Sequence, residues 1–276
     1  QRYPVHWSGD NSANYPNILT SLRSGLSLGL SGFSFWSQDT GGFAGRGNDE
    51  LYIRWTQLSI FQSHIRFHGP LPKFKEIWNY SSETQEIVKK FLNLRYQLIP
   101  YLYSESMVAV KQGLPLLRHL VIEFQNDPTV FHIEDQFMCG SNLLIAPIMT
   151  PNDTRKVYLP EGDWFDFWSG ERMAGRQWLT VAAPLGKIPV FVRSGTILPL
   201  GPVAQHTNEI DGEEFTLYLY LNESGDASYQ LHEEEQVRSM RASVEGDKLH
   251  IHLDPMPHRL GCEIFGELHG LETKII

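Results

Sequence analysis

Near its start the chain carries three short strand-like runs, each leading to a polar residue able to do chemistry. Tyr3-Pro4-Val5-His6-Trp7 leads to Asp10, Gly32-Phe33-Ser34-Phe35-Trp36 leads to Asp39, and Ile65-Arg66-Phe67 leads to His68. Between the first two, Ile18, Leu19, Leu22, Leu26 and Leu30 recur at near-helical spacing, with Pro16 suited to a first turn. Residues 48–63 return to that spacing. This strand–helix–strand–helix–strand order predicts parallel α/β structure. In a parallel α/β barrel the carboxyl ends of successive strands converge on one face, which holds the active site. Two carboxylates and a histidine, framed by Trp7, Trp36 and Phe43, suit a sugar pocket. Three strands do not close an eight-stranded barrel, so the expected start is the last strands and helices of a (β/α)8 barrel.

A long helical stretch follows from about Glu83 to Lys111, with Pro100 inside it to kink or restart the helix and Gly113-Leu114-Pro115 to stop it. The pattern then changes to short apolar runs punctuated by Pro, Gly and Asp, such as Leu143-Leu144-Ile145-Ala146-Pro147 and Ile188-Pro189-Val190-Phe191-Val192. That spacing predicts an antiparallel β-sandwich. From Gly201-Pro202 onward, Phe215-Thr216-Leu217-Tyr218-Leu219-Tyr220 opens a third, β-like region. The expected fold class is thus α/β plus all-β. Residues 1–113 form the carboxyl-terminal part of the barrel, 114–204 a proximal β-sandwich, and 205–276 a distal β domain that is small or truncated.

Net charge is −9, concentrated at the end: residues 205–276 carry 5 Lys+Arg against 15 Asp+Glu. An acidic chain argues against nucleic acid as partner, because phosphate binding needs a basic surface. No apolar run reaches membrane-span length. Cys139 and Cys262 are far apart and lack metal-ligand spacing, so buried free thiols are expected. His250 and His252 share one strand face, yet no third ligand accompanies them, and surface histidines are the expected reading. Glu233-Glu234-Glu235 reads as a solvated loop. No cofactor motif stands out, and the sequence leaves homo-oligomer formation open. The chain starts with Gln1 inside a strand-like run, which suggests a cut in a longer chain. Sequons at Asn79, Asn152 and Asn222 leave the compartment open between cytoplasm and secretion.

His6-Trp7-Ser8-Gly9-Asp10-Asn11, followed by Phe35-Trp36-Ser37-Gln38-Asp39-Thr40-Gly41-Gly42-Phe43, resembles glycoside hydrolase family 31. Arg95-Tyr96-Gln97-Leu98-Ile99-Pro100-Tyr101-Leu102-Tyr103 looks like that family's final barrel helix. Gly140-Ser141-Asn142-Leu143-Leu144-Ile145-Ala146-Pro147 looks like its proximal sandwich, and Ile188-Pro189-Val190-Phe191-Val192-Arg193-Ser194-Gly195 is similar to that domain's closing strand. The resemblance implies a retaining α-glycosidase acting on an α-linked oligosaccharide or glycoside. It assigns Asp10 as general acid/base, and Trp7, Asp39, Phe43 and His68 to the subsite of the sugar whose bond is cut. The family's nucleophile, an aspartate on an earlier barrel strand, has no counterpart in the sequence, so the chain alone is expected to be inactive. Leu22-Arg23-Ser24-Gly25-Leu26-Ser27-Leu28-Gly29-Leu30-Ser31-Gly32-Phe33, with Arg66-Phe67-His68-Gly69 and Glu123-Phe124-Gln125-Asn126-Asp127-Pro128, looks closer to α-xylosidases than to α-glucosidases. An α-glucosidase, an α-transglycosylase and a non-catalytic carbohydrate-binding fragment are the alternatives.

Retaining cleavage needs two carboxyl groups about 5–5.5 Å apart, one attacking and one protonating the leaving oxygen. Without the resemblance, Asp10 after Ser8-Gly9 reads better as a turn or helix-cap residue than as a catalytic one, and Asp39 before Gly41-Gly42 reads similarly as a turn residue; the resemblance reverses that order for Asp10. Trp36 fits barrel core, whereas Trp7 and Phe43 lie nearer the mouth. A lone His68 can serve to satisfy backbone groups. At a strand's carboxyl end, hydrogen bonding to a sugar suits it better.

Overall fold

Asn14 starts the first helix: its side chain accepts the Asn17 amide proton at 3.0 Å, and Pro16 occupies the first turn, where a missing N–H costs nothing. The computed structural model describes residues 2–70, 75–210, 214–234, 236–255, 259–265 and 272–275. In it β1 (Val5–Trp7) is followed by α1 (Tyr15–Leu30), β2 (Phe35–Ser37) and α2 (Asp49–Ser59). The two strands run parallel in register Val5↔Phe35, His6↔Trp36, Trp7↔Ser37. Ile18, Leu22 and Leu26 make the buried stripe of α1. Gly25 lies on that stripe because Trp36 packs there: a Cβ at Gly25 would sit 2.2 Å from Trp36 Cδ1. Trp36 is accordingly buried as core.

The expected third strand does not form. Ile65–Phe67 contributes one isolated parallel bridge, Arg66 to Asp39. Beyond Asp39 the pairing stops at a turn: Gly41 and Gly42 take φ of 82° and 76°, and the chain bends away.

Leu51 through Ser59 of α2 are buried on every side. The long helical stretch is two helices, α3 (Ser82–Gln97) and α4 (Ile99–Gln112), broken at Leu98, two residues ahead of Pro100; Gly113 at φ 71° ends the second.

Beyond α4 come β3 (Leu117–Arg118), β4 (Phe137–Cys139), β5 (Leu143–Ile145), β6 (Thr154–Leu159), β7 (Asp163–Asp166), β8 (Arg172–Ala174), β9 (Gln177–Ala182) and β10 (Val190–Arg193). Six of them form an antiparallel sheet in the order β3-β4-β5-β10-β7-β8, while β6 and β9 pair as a separate ribbon. Alternation along β5 explains the layering. Leu144 joins Met138, Phe191 and ribbon residues Val157 and Leu159 on one face. Leu143 and Ile145 face the larger core shared with α1, α2 and α4.

β11 (Thr196–Leu200), β12 (Glu214–Tyr220), β13 (Ala227–His232), β14 (Val237–Glu245), β15 (Lys248–Leu253), β16 (Arg259–Phe265) and β17 (Glu272–Ile275) form a seven-stranded mixed sheet. Its order is β16-β12-β11-β13-β14-β15-β17. The last sheet therefore takes β11 from the segment before residue 205. Cys139 and Cys262 are free thiols, the first buried. His250 and His252 stack with ring centroids 6.4 Å apart on β15. Glu233 is not merely solvated, since it accepts a 2.7 Å bond from Arg238 Nε; Glu235 lies outside the described residues.

Candidate active site

Because β1 and β2 are parallel, the segments that follow them leave the sheet on the same side. Backbone bonds then join these segments laterally. Ser8 N donates to Ser37 O at 3.2 Å, Ala13 N to Ala44 O at 2.8 Å, Ala44 N to Asn11 O at 3.0 Å and Thr40 N to Arg66 O at 3.0 Å. The stretches bearing Asp10, Asp39 to Phe43, and Arg66 to His68 thus form one continuous face. Gly42 permits the closest approach: a Cβ there would lie 2.7 Å from Ala13 N and Cα.

Asp10 is exposed, in a turn set by Gly9 at φ 76°. The next residue anchors that turn to α1, with Asn11 Nδ2 donating to Ser21 Oγ at 2.8 Å. Asp39 is buried, with 1% of its surface accessible. Its Oδ1 accepts from Arg66 Nε at 2.7 Å, and its Oδ2 is buried with no hydrogen-bond partner. The half-exposed Arg66 guanidinium also lies 5.6 Å from the centre of the exposed Trp7 ring. One cation thereby connects the ends of all three segments. Phe43 and the exposed His68 form a second aromatic pair, centroids 5.3 Å apart.

Behind this face, Lys75 is buried and donates from Nζ to Gly41 O at 2.8 Å and Gly45 O at 2.6 Å. Burial lowers its pKa to about 8, with the Asp39 charge acting in the opposite direction. His64 is pushed down to about 4, first by burial and then by Arg95 and Arg66. Among the described residues no group of three or more His, Cys, Asp or Glu is placed to hold a metal ion. No described helix is long and apolar enough to cross a membrane.

The "Glycosyl hydrolases family 31 TIM-barrel domain" model matches residues 1–105, and the family's C-terminal domain model matches residues 113–198. The chain belongs to glycosyl hydrolase family 31. "Alpha-glucosidase 2" of Bacillus thermoamyloliquefaciens is 38% identical over 237 residues, covering 85% of this chain and 30% of that protein. An "Alpha-xylosidase" of Saccharolobus solfataricus is 38% identical over 204 residues, 71% of this chain and 28% of that one. Among solved structures, a Flavobacterium johnsoniae GH31 dextranase complexed with isomaltotriose superposes with a TM-score of 0.82 at 32% identity, over 89% of this chain and 33% of that one. The chain spans about a third of the length of these family 31 relatives.

The geometry brings Trp7, Asp39 and Arg66 together and pairs Phe43 with His68, while Asp10 projects from the adjoining turn. Sequence reasoning passed over Arg66 as a site residue and did not see Lys75. Arg66 had a legible signal, a charged residue inside an apolar run one step before His68. Lys75 had none, because its partners are backbone carbonyls about 30 residues away in sequence.

Proposed function

We propose that this chain supplies the acid/base side and part of the sugar subsite of a retaining α-glycoside hydrolase. The observation that carries the reading is the shared face: an exposed carboxylate on the turn after β1, beside a buried carboxylate at the end of the parallel β2. In this reading Asp10 protonates the departing oxygen and then removes a proton from the incoming water. Asp39 Oδ2, buried without a donor, accepts a sugar hydroxyl proton, and such a bond to a charged acceptor is stronger than a neutral one. Trp7 offers a wall to the sugar, and Phe43 and His68 close its other side. The attacking carboxylate comes from residues outside these 276, in keeping with the chain's share of its relatives' length.

Replacing Asp10 tests the assignment in the full-length protein. Asp10→Ala is expected to cost on the order of 10²–10⁴ in turnover of substrates with poor leaving groups. Activated aryl glycosides, which need little protonation, lose far less in the first step. Azide should restore turnover and yield an α-glycosyl azide, because that anion needs no base. Equal loss on every substrate with no azide product would make Asp10 a structural residue.

For the substrate we favour an α-xyloside, on the segments around residues 22–33, 66–69 and 123–128. An α-glucosidase and an α-xylosidase stand at the same identity to the chain. Xylose lacks the hydroxymethyl group of glucose, so a rigid aromatic wall can exclude the larger sugar. Specificity constants for matched aryl α-xyloside and α-glucoside decide it. Preference for the glucoside removes the α-xyloside assignment and leaves the α-glycosidase one.

A further inference from the structure

Four glycines with positive φ, Gly41, Gly42, Gly45 and Gly47, shape the turn that presents Phe43. A turn so rich in glycine has high conformational entropy and does not hold one geometry unaided. Beneath it the ammonium of Lys75 binds the carbonyls of Gly41 and Gly45, either side of Phe43. Lys75 is itself held, since Tyr52 Oη donates to its carbonyl at 2.7 Å. Its stem reaches the third segment as well: a Cβ on Gly69 would lie 3.1 Å from Lys75 Cγ and 3.0 Å from Phe43 O. One buried cation therefore touches the Phe43 turn and the segment bearing His68.

Burying an ammonium is costly, and among the described residues its hydrogen-bond partners are two neutral carbonyls. A neutral apolar side chain would fill the space at lower cost. What the ammonium adds is a fixed separation between two carbonyls, and thus a fixed position for the ring between them.

We propose that Lys75 is a positioning residue for the sugar subsite, holding the Gly41–Gly45 turn so that Phe43 stays against His68. This rests on the α-glycosidase reading of the face. Lys75 touches no substrate and acts through Phe43.

The test uses four variants of the full-length protein: Lys75→Met, Lys75→Arg, Phe43→Ala and Phe43→Ala combined with Lys75→Met. Lys75→Met should raise KM for an aryl α-glycoside about tenfold with kcat within about twofold, as loss of charged hydrogen bonds that shape binding predicts. Lys75→Arg, which keeps a cation with several donors, should recover most of the loss. In the Phe43→Ala background, Lys75→Met should add less than about twofold, because coupled positions do not add. Full multiplication of the two effects, or no rescue by arginine, overturns the proposal. If Lys75→Met does not fold, Lys75→Gln replaces it as the neutral variant.

A second readout needs no substrate. Arg46 is exposed within the same turn and offers a trypsin site; its carbonyl accepts from Tyr80 Oη at 3.1 Å and its guanidinium lies 4.9 Å over the Tyr80 ring, so the comparison is made in the Tyr80→Phe background, where that carbonyl is released. Cleavage after Arg46 should be several-fold faster with the neutral substitution than with Lys75 intact or Lys75→Arg, and equal rates overturn the clamp. If wild type turns over no α-glycoside while the cleavage rates differ as expected, the glycosidase reading fails and the clamp on the turn survives.

Discussion

Asp39 and Glu105 are both buried carboxylates, yet their surroundings differ in kind. Glu105, on α4, is enclosed by donors, Ser141 N at 2.8 Å, Ser141 Oγ at 3.0 Å and Tyr229 Oη at 3.1 Å, with Arg118 Nη2 at ion-pair distance, 3.5 Å. Those partners come from α4's neighbours in both sheets, so one charge joins the barrel segment to β3, the β4–β5 turn and β13. Asp39 has a single cation, half exposed, and one oxygen left without a donor. Around it Gln38, Thr40 and Gln62 also hold buried side-chain atoms without partners. A buried polar group left unpaired costs about 1–3 kcal/mol, so a region that keeps several is holding hydrogen-bonding capacity for something else. The junction carboxylate is closed by its donors, although Arg118 Nη2 beside it makes no hydrogen bond, and the barrel-face carboxylate is open.

The largest expected effect breaks the closed side. Glu105→Ala strands the buried donors of Ser141 and Tyr229 and takes one of two carboxylates from Arg118, which keeps Glu123 at 2.7 Å. Breaking a buried ion pair from one side typically costs about 3–5 kcal/mol, and urea melts of the variant should show that loss. If the melt moves by less than about 1 kcal/mol, on the scale of an exposed pair, Glu105 does not hold the barrel segment to the two sheets.

Next in size is the open side, where stability and activity should separate. Asp39→Asn keeps an acceptor for Arg66 but weakens the acceptor that, in the proposed function, meets a sugar hydroxyl. Its melting midpoint should stay near wild type, while kcat/KM falls about a hundredfold, the worth of one or two charge-assisted bonds. A variant that loses stability and keeps activity would reverse the assignment of the two regions. His68→Ala sharpens the same contrast: it should weaken xyloside and glucoside alike, by roughly tenfold, because both sugars share the hydroxyls on offer.

The regular elements were legible because they are written in local periodicity. The stripe of α1, the break ahead of Pro100 and the Gly41-Gly42 turn all follow from residues within one or two turns of chain. Of the candidate site, the positions of Asp10 and Asp39 after β1 and β2 were legible because they follow such elements. What could not be read is non-local. The run ending at His68 looks like a strand, but its pairing stops where the chain after Asp39 turns at the glycines. Arg66 and Lys75 act on partners 27 and 30 to 34 residues distant, and Glu105 takes hydrogen bonds from residues 36 and 124 positions away, which no periodicity encodes. Placement of β11 in the last sheet follows from its pairing with Thr216 to Tyr220, across a loop in between.

The smallest effect is a pH dependence on the open side. His64 is held at about 4 in the folded chain, against 6.5 when free, by burial and by the nearby charges of Arg95 and Arg66. Between those two values the unfolded chain binds a proton that the folded chain refuses, so acid favours unfolding. The contribution is fully present above pH 6.5, declines as pH falls toward 4, and is constant below that. Part of the ring is accessible, which discounts the full shift to a loss of about 1–2 kcal/mol. Other groups titrate in the same window, so the comparison that isolates His64 is wild type against His64→Gln, melted in urea at pH 7.5 and pH 5. The wild type should lose about 1–2 kcal/mol more than the variant between the two conditions. Equal losses would mean that His64 takes up its proton without unfolding the face, through movement of Arg66. That movement would release Asp39 from its cation and make the open side open to protons as well.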